Sequence, residues 1–169
     1  MYKANTISYN QPDGNEAFLR SYLQGQWKAV WNKLTGNRPN LEEFNNYAFR
    51  LEGGRKHLGP MNVAVSSVTG SVGRSREFDR DFRPLKTTLR DHWVNAFAQA
   101  GNNEKLPITV YKIGDKFFVK EGHNSVSVLK FLGKCHIKAD VWEFSIRQMF
   151  VEKRPSAVKP VNQKLTAAT

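Results

Sequence analysis

The hydrophobic period of this chain changes between Gly53-Gly54, where a helical pattern ends, and Met61, where a strand pattern begins, and this change restricts the fold more than any other feature. Before it, apolar residues recur at helical spacing from about Asn15 to Leu34. After it, residues 61–68 alternate apolar and polar side chains, as a half-buried strand does. The chain has 169 residues, of which 40% are hydrophobic, which suits one domain with extensions. The pattern predicts an α+β fold.

A second short helix is predicted over about 41–51, because Asn40 and Glu43 are spaced as in a capping box. Its buried face would be Phe44, Tyr47, Ala48 and Leu51, and Gly53-Gly54 would end it. The two helices would form an N-terminal helical hairpin. Its aromatic stripe favours packing on the main domain over reading DNA as a helix-turn-helix. We therefore assign residues 1–58 to an N-terminal arm and helical extension.

The following part, 59–144, is predicted to hold a mixed sheet with helices. The expected elements are a strand over 61–68, a loop over 69–74, a helix over 85–100, strands over 107–113 and 116–120, a helix over 125–132 that Gly133 ends, and a strand over 136–144. The Gly114-Asp115 pair predicts a tight hairpin turn between the second and third strands.

The formal net charge is +11, and residues 145–169 are the most basic region, with five basic and one acidic side chains. This region reads as a largely disordered tail. A positive field attracts polyanions through Coulomb attraction and counterion release. We expect the basic surface and the tail to bind nucleic acid such as DNA, with these candidate residues: Lys153, Arg154, Lys159 and Lys164.

Several classes of protein and site are not expected. No apolar run approaches the ~20 residues of a membrane helix, and the N-terminal residues carry no apolar signal core. The lone Cys135 fits a reducing compartment, so the predicted location is the cytoplasm, without a membrane partner. The four histidines are not paired at metal-ligand spacing, so no metal site is predicted.

The segment most informative about chemistry is Glu121-Gly-His-Asn-Ser125, which lies between a predicted strand and a predicted helix. A helix start has unpaired N–H groups and the positive end of the helix dipole, which together form an anion site. Gly122 would let a phosphate approach the backbone, and His123, Asn124 and Ser125 could add donors. The alternative is that Asn124 or Ser125 only caps the helix.

The runs GSVGRSREFDRDFRP (70–84) and FFVKEGHNSVSVLKFLG (117–133) resemble the ParB/sulfiredoxin-like superfamily. The resemblance covers about Gly59 to Phe144. Gly122 matches the glycine of the family's Gly-Glu-Arg-Arg turn, and Gly133 matches the glycine that ends the helix. The pattern is similar to small bacterial ParB-like proteins with a helical extension before the domain. The partition-type helix-turn-helix domain is not expected after Phe144.

The resemblance implies a nucleotide or phosphate pocket with CTP or ATP/ADP and Mg²⁺ as candidate ligands. Its residues would be the following: Gly70, Arg74, Arg76, Gly122, His123, Asn124 and Ser125. Ser125 stands where the family has arginine, and a hydroxyl cannot bind phosphate bidentately with a positive charge as a guanidinium does. His123 stands where sulfiredoxin has its cysteine, so sulfiredoxin activity is not expected.

Asp79 and Glu121 are candidate catalytic residues, as bases or magnesium ligands, because the family fold would point both at one cleft. The four tryptophans, Trp27, Trp31, Trp93 and Trp142, could stack on bases, but core packing is the preferred interpretation.

Three functions follow from these features. The first is a nucleotide- or phosphate-binding protein associated with nucleic acid. The second is an enzyme of the same superfamily, a nucleotide-dependent phosphotransferase or a metal-dependent nuclease. The third is a degenerate domain that acts as a protein-interaction module.

Overall fold

A computed structural model describes residues 13–37, 40–102 and 106–146. The described chain combines helices with one mixed six-stranded sheet, which confirms the predicted α+β class. The α-helices are α1 (Gly14–Leu34), α2 (Arg90–Gly101) and α3 (His123–Phe131). The strands are β1 (Glu42–Glu43), β2 (Leu51–Ala64), β3 (Val68–Ser71), β4 (Thr109–Ile113), β5 (Lys116–Glu121) and β6 (His136–Ile146). Of the helices described, none has both the length and the apolar character to cross a membrane.

The strands lie in the order β1-β3-β5-β4-β6-β2. β3 is parallel to both β1 and β5, and β4 is antiparallel to β5 and parallel to β6. β2 and β6 form a long antiparallel ribbon at one end of the sheet. The β4–β5 hairpin therefore lies at the centre, and the turn that leaves β5 leads directly into α3.

The main core lies where the helices cover one face of the sheet, and Trp93 of α2 is its largest fully buried side chain. Its ring lies 5.8 Å from that of Phe18 on α1 and 5.5 Å from that of Phe131 on α3. The indole Nε1–H donates to Ser127 Oγ on α3 at 2.8 Å, so its one polar atom is satisfied. Trp93 thus joins all three helices.

A smaller aromatic cluster covers the other face, since side chains alternate along each strand. Phe44 lies 5.2 Å from Tyr111, 5.6 Å from Phe118 and 5.2 Å from Phe144, measured between ring centroids. The sheet is consequently covered on both sides, and residues 44–50 supply part of the second cover.

The predicted helical hairpin is wrong. The segment Phe44–Arg50 is a 3₁₀ helix, and it is flanked by β1 and β2 rather than by loops. An apolar spacing of three or four residues fits either helix type, so the sequence pattern does not distinguish them. Gly53-Gly54 lies where the pairing of β2 with β6 shifts register, inside a strand. The boundary placed at residue 59 falls within β2.

Other boundaries also differ. The strand predicted over 61–68 is divided, because a 3₁₀ turn at Val65–Ser67 separates β2 from β3. The helix predicted over 85–100 begins only at Arg90, after a 3₁₀ turn at Thr87–Leu89. The hairpin of β4 and β5, the helix α3 with Gly133 after it, and the strand β6 are confirmed. The helix α3 begins at His123, two residues before the predicted start at residue 125. Gly133 has φ +70°, and the N–H of Lys134 donates to Leu129 O at 2.9 Å, as in a Schellman motif.

The interpretation of the tryptophans is wrong for α1. Trp27 is 77% exposed and Trp31 is 66% exposed, whereas α1 faces the core with Phe18 and with small and polar residues. The exposed apolar face of α1 consists of Leu19, Leu23, Trp27, Val30, Trp31 and Leu34. Helical periodicity identifies an apolar face, but it does not say what covers that face.

Two tryptophan substitutions test this difference. We expect Trp93→Ala to lower the free energy of unfolding by about 3–5 kcal/mol, because it leaves a cavity and an unpaired Ser127. Trp27→Ala should change it by less than about 0.5 kcal/mol, because the side chain is exposed. Urea denaturation followed by circular dichroism measures both. Equal losses in the two variants would contradict this description of the core.

Candidate functional site

A cavity of about 390 Å³ lies at the N-terminal end of α3. Its wall comes from α2, from the turn between β5 and α3, and from the loop after β3. The lining residues are Arg74, His92, Asn95, Ala96, Gln99, Pro107, Glu121, Gly122, His123, Asn124 and Ser125. The structure therefore brings together all five residues of the segment Glu121 to Ser125 and Arg74.

Two features of the backbone require glycine at position 122. Its φ is +83°, in the left-handed region that side chains other than glycine rarely adopt. A Cβ at this position would meet Pro107 O at 2.4 Å, because the chain entering β4 passes directly beside the turn. The glycine thus allows β5 to turn sharply into α3, so that the helix start opens into the cavity.

The first turn of α3 has no side-chain cap, so the alternative that Asn124 or Ser125 caps the helix is wrong. Gly122 occupies the N-cap position, and His123, Asn124 and Ser125 form the first turn. Backbone N–H groups in a first turn have no partner within their own helix. In addition, Asn124 Oδ1 is buried and has no hydrogen-bond partner among the described residues.

His123 is a buried structural contact. The side chain is 2% exposed, and its ring stacks on Phe78 at 6.0 Å between centroids. Its Nε2 lies 2.8 Å from Ser71 Oγ at the end of β3. Burial, and then the charge of Arg74, lower the pKa of His123 to about 4. The ring is therefore neutral at pH 7, and it ties α3 to β3.

Arg74 brings positive charge to the cavity. Its backbone N–H donates to Ser71 Oγ at 3.0 Å, and its guanidinium contacts Glu77 Oε2, at 2.7 Å from Nε and 2.6 Å from Nη2. These bonds fix Arg74 within the loop after β3. Its side chain lines the cavity, where an anion could bind it.

Asp79 does not line this cavity, so the expectation that Asp79 and Glu121 share one cleft is wrong. The side chain of Asp79 is 1% exposed. Its Oδ1 accepts N–H bonds from Asp81 at 2.9 Å and Arg83 at 2.8 Å, and its Oδ2 accepts from the Arg83 guanidinium at 3.2 Å. Burial raises the pKa of Asp79, while the bonds from Arg83 oppose this effect. Asp79 stabilises its own turn.

Gly70 and Arg76 also lie elsewhere. A Cβ at Gly70 would meet the Phe118 ring at 2.3 Å and Glu42 O at 2.7 Å, so this glycine permits close packing inside the sheet. Arg76 lines a different cavity, beside β1 and the 3₁₀ helix. The loop after β3 thus places Arg74 and Arg76 at different cavities.

Glu121 ends β5 and is the carboxylate among the residues that line the α3 cavity. Within 13–37, 40–102 and 106–146, no group of three or more His, Cys, Asp or Glu side chains could hold a metal ion.

The tail residues predicted to bind nucleic acid lie outside the described residues: Lys153, Arg154, Lys159 and Lys164.

Three polar residues of the wall were not predicted: His92, Asn95 and Gln99. They are spaced by three and four residues, so they share one face of α2. This polar face was visible in the predicted helix over 85–100. What the sequence could not show is that this face lies opposite the start of α3.

Comparison with known protein families, with characterised proteins and with solved structures found no match to this chain.

Two glycines with positive φ test the close approach at the turn. Gly122→Ala should destabilise the fold clearly more than Gly133→Ala, because only at Gly122 would the new Cβ meet backbone. For Gly133, with nothing within 4 Å, we expect only the left-handed backbone cost of about 1–2 kcal/mol. Urea denaturation of both variants provides the comparison. Similar losses would mean that the contact with Pro107 does not constrain the turn.

The low pKa of His123 predicts a pH-dependent stability. In the unfolded chain the His123 ring has a pKa near 6.5, so it takes up a proton as the pH falls below that value. In the folded protein the ring takes up this proton only near pH 4. Stability should therefore fall as pH decreases through this window, by roughly 3 kcal/mol from this group. In His123→Gln this part of the pH dependence should be absent. Unfolding free energies measured from neutral pH to about pH 4 in both proteins test it, and parallel curves would contradict it.

Proposed function

We propose that this chain binds a phosphate-bearing ligand, in the first instance a nucleotide, in the cavity at the start of α3. The observation that supports this most is the first turn of α3, which has no side-chain cap and lies at the cavity beside Arg74. The backbone N–H groups of a first turn have no partner within their own helix. An anion in the cavity would accept hydrogen bonds from them.

The electrostatics favour an anion. The first-turn N–H groups and the helix dipole place partial positive charge at the cavity. Arg74 adds formal positive charge at the cavity wall, and its salt bridge with Glu77 offsets part of that charge. In this proposal Arg74 takes the role of the arginine that the ParB-type turn carries and that is Ser125 here.

The size and the remaining wall favour a nucleotide. The volume of about 390 Å³ lies in the range of small-molecule sites, about 300–1,000 Å³. Asn95 and Gln99 on α2 offer amide groups that can donate to and accept from a base or a ribose. The resemblance to the ParB/sulfiredoxin-like superfamily supports the same ligand class, with CTP and ATP or ADP as the first candidates.

The nucleic-acid part of the proposal depends on charge. The net charge of +11 is spread along the chain, so association with a polyanion should weaken as salt rises. An enzymatic version, a phosphotransferase or a nuclease, would need a carboxylate at the ligand, and Glu121 could serve. Because Asp79 is held inside its own turn, the observations favour binding over a reaction that uses both carboxylates.

A second candidate function is a protein-interaction module. The observation that favours it is the exposed apolar face of α1, defined above. Contiguous exposed apolar surface of this kind is typical of interaction sites. This function would use α1 and would not require a ligand at α3.

Ligand titrations test the phosphate site. Thermal-shift and calorimetric titrations with CTP, ATP, ADP, GTP and inorganic phosphate, each with and without Mg²⁺, should identify at least one ligand that raises the melting temperature. Asn124→Asp should lower the affinity for that ligand by about tenfold or more, because a carboxylate repels phosphate, whereas the NH₂ of the amide can donate to it.

Asn62→Asp is the matched control, because it makes the same change of charge on an exposed part of β2. It should retain the wild-type affinity. If no ligand binds the wild-type protein, or if both variants lose affinity equally, the proposed site is wrong.

A further inference from the structure

A second and larger cavity, of about 780 Å³, lies beside β1 and the 3₁₀ helix Phe44–Arg50. Four cationic side chains line it: Arg50, Arg76, Arg80 and Lys116. They come from separate segments of the chain, the 3₁₀ helix, the loop after β3 and the start of β5. The tertiary structure therefore concentrates positive charge that is dispersed in the sequence.

The carboxylates of this cavity are already engaged. Glu42 accepts bonds from Lys116 Nζ at 2.9 and 3.0 Å and from the Tyr47 hydroxyl at 2.7 Å. Glu43 accepts the backbone N–H of Gly73 at 2.9 Å. Lys116 and Glu42 thus neutralise each other.

The three arginines remain available. Within the described part of the chain, Arg50, Arg76 and Arg80 form no salt bridge with a carboxylate. All three are exposed. The charge of Arg80 contributes to lowering the pKa of Glu42, but the direct partners of that carboxylate are Lys116 and Tyr47. Guanidinium groups that line one opening without a carboxylate in salt-bridge contact are suited to phosphate, which they bind as a bidentate fork.

An aromatic ring lies at the same opening. Phe49 is 74% exposed although its neighbours Phe44 and Tyr47 pack on the sheet. The Arg50 guanidinium lies 5.2 Å from the centre of the Phe49 ring. An exposed ring beside arginines is the arrangement on which an unpaired base stacks while its phosphates are held by cations.

We infer that this cavity binds single-stranded nucleic acid, with phosphates on Arg76 and Arg80 and an unpaired base on Phe49. A paired base would not expose its face to the ring, so a single strand fits better than a duplex. The inference specifies the partner and the site for the nucleic-acid part of the proposed function. The residues lining this cavity and the α3 cavity do not overlap, so either site can fail without the other.

The test uses the full chain and a fluorescein-labelled oligothymidine, with binding followed by anisotropy at several salt concentrations. Arg76→Ala/Arg80→Ala should weaken binding by about tenfold or more and reduce the salt slope by about 1.4, about 0.7 for each phosphate contact on a single strand. Lys134→Ala/Lys138→Ala removes the same charge from exposed positions outside the cavity and should have a clearly smaller effect. Equal losses in the two double variants would show only diffuse attraction and overturn the inference.

Phe49→Leu tests stacking, because leucine keeps apolar bulk without a ring face. The affinity for oligothymidine should fall by about tenfold, whereas the affinity for a duplex of the same length should not change. Unchanged oligothymidine binding would overturn the assignment of the ring. Displacement of the oligomer by thymidine monophosphate at equal concentration would also overturn the inference, because it would indicate a mononucleotide ligand. Displacement by polyglutamate would overturn it as well, because it would indicate an acidic protein partner. Circular dichroism controls for folding in each variant.

Discussion

The Trp93 indole fixes the spacing of the helices that surround the α3 cavity. Its ring contacts Phe18 and Phe131, and its N–H reaches Ser127 on α3. The wall residues Asn95 and Gln99 belong to the same helix as Trp93, and Asn124 belongs to the same helix as Ser127. A rigid, fully packed contact in the core thereby determines the distance between two polar surfaces on either side of the cavity.

The loop from Val72 to Arg83 connects the core to both cavities, and its own bonds hold it in place. Asp79 accepts N–H groups from two residues of its turn, and this bonding stabilises Phe82 at φ +61°, an unfavourable conformation for a buried aromatic residue. Lys130 of α3 lies 4.7 Å from the centre of the Phe82 ring. With the end of the loop anchored, Arg74 and Arg76 are presented to different cavities, although only one residue separates them in the chain.

The segment from Pro107 to Gly133 could be predicted from sequence because its signals are local. Gly114-Asp115 makes the hairpin, Gly122 makes the turn into α3, and Gly133 ends that helix. Residues 41–64 were predicted poorly because their partners are distant. Phe44 packs on Tyr111 and Phe144, and β2 pairs along its length with β6, which begins about 70 residues later. The exposure of Trp27 likewise depends on what lies opposite α1, which a helical period does not encode.

For the candidate sites, the sequence by itself determined the glycine-led turn into α3, the cationic loop after β3 and the large positive charge. These properties depend on residue type and on neighbours in the chain. Only the tertiary structure decided that Asp79 is buried in its own turn, that Gly70 packs against Phe118, and that Arg76 joins Arg50 and Arg80 rather than Gly122. The physical reason is that burial and convergence of charge depend on which surfaces the sheet and helices bring together.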